Sequence, residues 1–118
     1  MAHHNKTGDT GEAMAAEFLA AKGYTILHRN WRHAHWEIDI IASRSNTLHF
    51  IEVKTRRTST YGLPEDDVTK KKLMNLVNSA EEFLIIFPEW KRIQFDILSL
   101  TIKKNEAPEF FLIEDVYI

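Results

Sequence analysis

The sequence predicts an α/β domain in which one helix leads into three consecutive strands, followed by a second helix and a further strand. Three observations carry this. Apolar residues recur at helical spacing near the start of the chain and again after Pro64, while the segments between alternate at the two-residue period of strands. The turn residues Gly23, Ser45-Asn46, Gly62 and Pro88 fall between the periodic segments. At 118 residues the chain is one domain, burying roughly two-thirds of its unfolded surface.

The first helix is expected over about Asp9 to Lys22, capped by Asp9 or Thr10 and stopped by Gly23. Its apolar stripe is Ala15, Ala16 and Leu19. At 100° per residue Glu12 falls in the middle of that stripe, whereas Glu17 lies opposite. A carboxylate facing the protein body needs a partner, which the first-turn backbone N–H groups can partly supply. The alternative is that Glu12 joins the acids of the strands that follow.

Tyr24 to Arg32 reads as the first strand, and Trp36 to Ala42 with Leu48 to Thr55 as a hairpin. Closing that hairpin about Ser45 and Asn46 pairs Ser43 with Leu48. Counting outward, Asp39 falls opposite Glu52 and Glu37 opposite Lys54, each pair on one sheet face with Cβ atoms about 5 Å apart. Two carboxylates so close repel unless a cation lies between them. A plainer reading makes Glu37 and Lys54 a cross-strand ion pair beside a solvated acidic edge. Ile51 and Val53 back this charged face with apolar surface.

Arg56 to Pro64 is a loop, after which Leu73, Leu76, Val77, Ala80, Leu84 and Phe87 mark a long amphipathic helix ended by Pro88. Ile93, Phe95 and Ile97 alternate in a fourth strand, with Asp96 turned away from their face toward backbone or an arginine. Glu109 to Glu114 is a fifth strand or an edge segment.

Composition narrows the function. With 44% hydrophobic and 27% charged residues the chain is an ordinary globular protein. It has no cysteine, hence no disulfide or thiolate metal site, which suits a cytoplasmic location. The opening residues are polar and no apolar run is long enough for a bilayer, so no membrane partner is expected. A net charge of −2 excludes a uniformly basic nucleic-acid coat. Charge is uneven, however: Lys22 to Lys72 carries ten Lys or Arg against six acids, and this basic stretch contains the acidic hairpin. That distribution suits a polyanion brought to a metal site.

The runs GEAMAAEFLAAKGYTILHRNWR, EIDIIA and LHFIEVKTRR, then Val68 to Lys72 before a helix, and QFDIL, together resemble the YraN-like family of small bacterial proteins along nearly the whole chain. The resemblance implies a restriction-endonuclease-like αβββαβ core of the kind found in Holliday-junction resolvases, a mixed sheet flanked by helices. It implies Asp39, Glu52 and Lys54 as the catalytic nuclease triad, with Glu12 as a helix-borne acid. Two positions depart from the family: Trp36 stands where Gly often precedes the acidic step, and Leu73 where Gln often follows the helix lysine. Trp36 could close the approach or stack on a base.

The residue types suit Mg²⁺ or Mn²⁺, which takes oxygen ligands and keeps several waters: Asp39, Glu52 and Glu12 are the candidate ligands and Glu37 a supporting acid. The expected reaction is phosphodiester hydrolysis, with Lys54 orienting the attacking water or balancing transition-state charge. Arg29, Arg32, Arg56, Arg57, Lys70 and Lys72 are candidate phosphate contacts, and Trp31, Trp36 and Tyr61 candidate base contacts. Lys70 to Lys72 place three cations in a helix's first turn, against the dipole, unless Glu65 to Asp67 relieve them. The expected partner is nucleic acid, DNA rather than RNA and branched DNA included. Resolvase relatives cut two strands as dimers, which leaves a homodimer open. The alternatives are a non-catalytic nucleic-acid-binding module of the same fold, and a protein-interaction domain. His28, His33, His35 and His49 lack a third ligand spaced for zinc and are expected at the surface or in turns.

Overall fold

A computed structural model describes residues 6–57 and 69–116. The order of elements is α1 (Lys6–Ala21), β1 (Thr25–His33), β2 (Trp36–Arg44), β3 (Thr47–Arg56), α2 (Lys70–Ile86), β4 (Ile93–Thr101) and β5 (Glu109–Ile113). The strands form one mixed sheet in the order β1-β2-β3-β4-β5. Only the β3–β4 pairing is parallel, and α2 makes the crossover that such a pairing requires. This is the expected αβββαβ core with β5 added antiparallel at the β4 edge. The segment Thr58 to Val68 lies outside the described residues, and with it most of the expected loop, Tyr61 and the acids Glu65 to Asp67.

Each helix covers one face. On the α1 side, Ala15, Ala16 and Leu19 pack with Ile40, Ala42, Ile51 and Leu98, and Phe18 stacks on Phe110 with ring centroids 4.4 Å apart. Gly23, at φ +94°, ends α1: its N–H donates to Ala20 O, and Tyr24 N–H donates back to Leu19 O, the paired bonds of a Schellman cap. On the α2 side, Ile38, Ile41, Leu48 and Phe50 pack with Leu76, Ala80 and Phe83. Phe83 is the hub of that face, edge-on to His28, Trp31 and Phe50 at 5.3–5.7 Å. Reading the stripe from Leu73 to Phe87 missed it; Leu84, placed in the stripe, is only half-buried. Near its start α1 approaches β3 closely: a Cβ on Gly11 would overlap the Thr55 side chain, so the bare backbone there sets where the next residue, Glu12, sits against the sheet.

The hairpin closes as expected. Ser45 and Asn46 both have positive φ, 51° and 63°, a type I′ turn, and Ser43 pairs with Leu48. The ladder continues only as far as Ile40 opposite Ile51. Beyond it β2 departs from strict alternation. Ile38 and Ile41, three residues apart, both pack under α2, while Ile40 and Ala42 pack under α1. The break falls at Asp39, beside Asn30 of β1, which has left-handed φ of 53°. Period-two counting therefore fails where the site begins.

Candidate active site

The break at Asp39 changes what its side chain meets. Instead of standing on a sheet face opposite Glu52, the Asp39 carboxylate turns toward β3 and accepts the Val53 N–H at 2.9 Å. It thereby replaces a ladder bond that β2 backbone no longer makes. Glu52 and Lys54 alternate on β3 with Ile51 and Val53, which belong to the α1 core, so apolar surface backs the charged pair as expected and the pair lies on the α2 side.

The ladder does not set Glu37 opposite Lys54 as expected. Glu37 lies opposite Arg32 on β1, and their side chains meet at 3.5 Å. The physical reason is the early end of the β2–β3 ladder: past Ile40, among the described residues, β2 pairs with β1 alone. Lys54 instead acts on Glu52, helping to hold down its pKa.

Electrostatics show how closely the acids converge. Burial, and after it the charge of Glu52, push the Asp39 carboxyl up to about 7; the Val53 N–H opposes the shift, and Glu12 and Glu37 add smaller increments to it. Burial also raises Glu52, against the attraction of Lys72 and then Lys54, with Glu37 and Glu12 again adding to the rise. Four acids and two lysines thus share one field. Glu12 is half-buried and contributes to both acids, in keeping with its place in the α1 stripe. Among the described residues, however, no three His, Cys, Asp or Glu side chains stand close enough together to hold an ion, so Asp39, Glu52 and Glu12 do not close into a ligand set of three. Two half-buried carboxylates with an excess of negative charge still fit Mg²⁺, which commonly takes one or two carboxylates and completes its shell with water and phosphate.

A proton linkage follows from the raised Asp39. Between the unfolded value of 3.8 and about 7 the native state keeps a proton that the unfolded chain has released, so this group's effect on stability worsens as pH rises through that window. Above it, ionised Asp39 carries its full cost. Asp39→Asn keeps an acceptor for Val53 N–H without the charge. At pH 8 and without divalent metal it should be more stable than wild type by on the order of 2 kcal/mol, and at pH 4 by almost nothing. Urea unfolding at the two pH values measures this; an equal difference at both would refute it.

A cleft of about 320 Å³ opens between the β1–β2 hairpin and α2, lined by His35, Trp36, Glu37, Glu52, Lys72 and Asn75, with Leu76 and Ser79 beneath. Lys72 is held in the first turn of α2, where its N–H donates to the Thr69 side chain at 3.2 Å. No acid lies in that turn. Lys70 is exposed beside it, and Arg56 and Arg57 follow Lys54 at the end of β3. Arg32 is at the cleft edge through Glu37, whereas Arg29, exposed on β1, does not line the cleft. Trp31, half-buried, packs edge-on to Phe83 against the core and does not line the cleft.

The histidines separate. His28 packs on Phe83 and Phe87, and exposed His33 lies 3.6 Å from Glu82. His49, expected at the surface, is only 3% exposed: its Nδ1 lies 2.6 Å from Asp96 Oδ2. Asp96 also accepts from Gln94 Nε2 and Asp115 N, both at 2.9 Å, so the expected backbone bond forms and the partner is histidine instead of arginine. The signal for this burial was Leu48-His49-Phe50-Ile51, a continuous apolar run of the sort that marks a strand covered on both faces.

A family model described as "Uncharacterised protein family UPF0102" matches residues 11–100. A UPF0102 protein of Phocaeicola vulgatus is 44% identical over 105 residues, covering 89% of this chain and 87% of its own length. Protein FP2501 of Flavobacterium psychrophilum is 42% identical over 106 residues, 90% and 89% of the two chains. A Rhodococcus opacus member is 36% identical over 118 residues, 99% of this chain and all of its own.

Proposed function

We propose that this chain, which belongs to the uncharacterised protein family UPF0102, is a cytoplasmic metal-dependent nuclease that hydrolyses phosphodiester bonds of DNA, branched DNA included. The observation that carries the reading is that Asp39, bonded to the Val53 N–H, lies close enough to Glu52 to be raised by its charge, while Glu52 lines a cleft with Lys72 and feels Lys54 as well. A structural acidic cluster would be stabilised by removing such buried charge; a cation site requires it. Asp39 and Glu52 would hold Mg²⁺ or Mn²⁺, which supplies neutralisation of the scissile phosphate and a more acidic attacking water. Lys54, two residues beyond Glu52 on the same face, orients the water or balances charge on the phosphate. Lys72 meets a neighbouring phosphate at the start of α2, where helix N-termini favour anions. Lys70, Arg56, Arg57, Arg32 and Arg29 extend phosphate contacts along the strand. Paired cuts across a junction need two such sites, hence a homodimer on that substrate.

Cleavage of linear, flapped and four-way DNA in Mg²⁺ or Mn²⁺ tests the proposal. Metal-dependent cutting of at least one substrate is expected; no cutting of any overturns it. The second reading, a non-catalytic nucleic-acid-binding module, is favoured by the failure of three acids to close on one point. It requires salt-dependent binding that survives Glu52→Ala and needs no metal.

A further inference from the structure

The cleft beside Glu52 has a wall that phosphodiester hydrolysis does not use. Its outer lip is aromatic. The β1–β2 turn passes through Ala34, at φ +54°, and brings the His35 imidazole against the Trp36 indole with ring centroids 4.2 Å apart. Trp36 opens β2 opposite His33, and Leu76 and Ser79 of α2 lie across from it in the same cleft. Both tryptophans are half-buried, but the Trp31 ring packs edge-on to Phe83 whereas Trp36 lines the open cleft.

We infer that Trp36, backed by His35, is a stacking platform for one unpaired nucleotide, which makes this site select DNA with a flap, gap or unpaired junction base over continuous duplex. The inference rests on the nuclease reading for the site it serves. Its chemistry comes from the lining. An aromatic face accepts any base by stacking, and the Asn75 amide offers both a donor and an acceptor to a base edge. Lys72, on the opposite wall, takes the phosphate attached to that base. Glu37 would repel a phosphate approaching the platform side, but its carboxylate is occupied by Arg32, so the wall near Trp36 favours the base and the Lys72 wall the backbone. Size points the same way: a cleft of about 320 Å³ is at the small end of ligand pockets and admits one nucleotide, not a duplex. A base still paired would have to leave the stack to reach the indole, which selects for DNA already open.

Equilibrium binding in Ca²⁺ tests this with two probes, a flapped DNA carrying 2-aminopurine as its unpaired nucleotide and a matched duplex with the same base paired. Wild type should bind the flapped probe about 5- to 100-fold tighter and change its 2-aminopurine fluorescence on binding. Trp36→Ala should lose both the preference and the fluorescence change. Trp36→Phe should keep most of each, which separates loss of stacking from loss of fold. Equal binding of both probes by wild type, or an undiminished preference in a folded Trp36→Ala, overturns the platform. Preference and fluorescence change without cleavage in Mg²⁺ overturn the nuclease reading and leave the platform standing, whereas cleavage without preference does the reverse. Failure to bind either probe overturns both.

Discussion

Glu52→Gln should cut DNA at least about 100-fold more slowly than wild type in Mg²⁺ and yet melt no lower. The loss expected is of the size seen when one preorganised charge is removed from an active site. The stability follows from the electrostatics. Burial raises the Glu52 carboxyl and the attraction of Lys72 and Lys54 opposes that rise, and the charge of Glu52 is the largest contribution from a neighbour to the raised Asp39. Glutamine keeps the volume, removes a half-buried charge and relieves Asp39. A residue that only braced the hairpin would behave in the opposite way, costing stability and leaving cleavage per folded molecule unchanged. Melting and single-turnover cleavage on the same preparation separate the two.

Asp96→Ala should lose roughly 3–5 kcal/mol of stability, a large share of what a domain of this size has. Asp96 is fully buried and accepts three bonds, from His49, Gln94 and the backbone of Asp115. These tie β3 to β4 and to the residues after β5, across the one parallel pairing of the sheet. Alanine leaves the His49 ring and the Asp115 N–H without their acceptor, beneath a Tyr24 ring that lies edge-on to His49 at 4.9 Å. Asp96→Asn, which keeps the shape and an acceptor, should lose less. Urea denaturation checks both; a midpoint for Asp96→Ala within error of wild type would show that the pair is incidental. Cleavage by the folded fraction should persist, because none of these groups lines the cleft.

The contrast between these two sites shows which parts of the molecule local pattern could reach. Gly23, the Ala15-Ala16-Leu19 stripe and the Ser45-Asn46 turn are short-range signals, and each element they imply is present. Glu52 and Lys54 were legible because β3 keeps strict alternation between Ile51 and Val53. Asp39 was placed in the right neighbourhood for a reason that fails in detail: alternation breaks at that residue, and its carboxylate bonds β3 backbone. The cross-strand neighbour of Glu37 was misread because counting from one turn cannot show where a ladder ends, and Arg32 comes from the other side of β2. His49 and Asp96 are 47 residues apart and are joined by a parallel pairing that no local period encodes. Trp36 was visible as a departure from the family, but its position on the cleft wall depended on α2 packing across from it.

The central claim is that Asp39 and Glu52 together hold a divalent cation. Calorimetric titration of Mn²⁺ into wild type and Asp39→Ala tests it most directly. Wild type should give a saturable heat of binding, with protons released near pH 7 because the Asp39 carboxyl titrates there; Asp39→Ala should give only the heat of dilution. Equal heats from the two proteins would contradict the account.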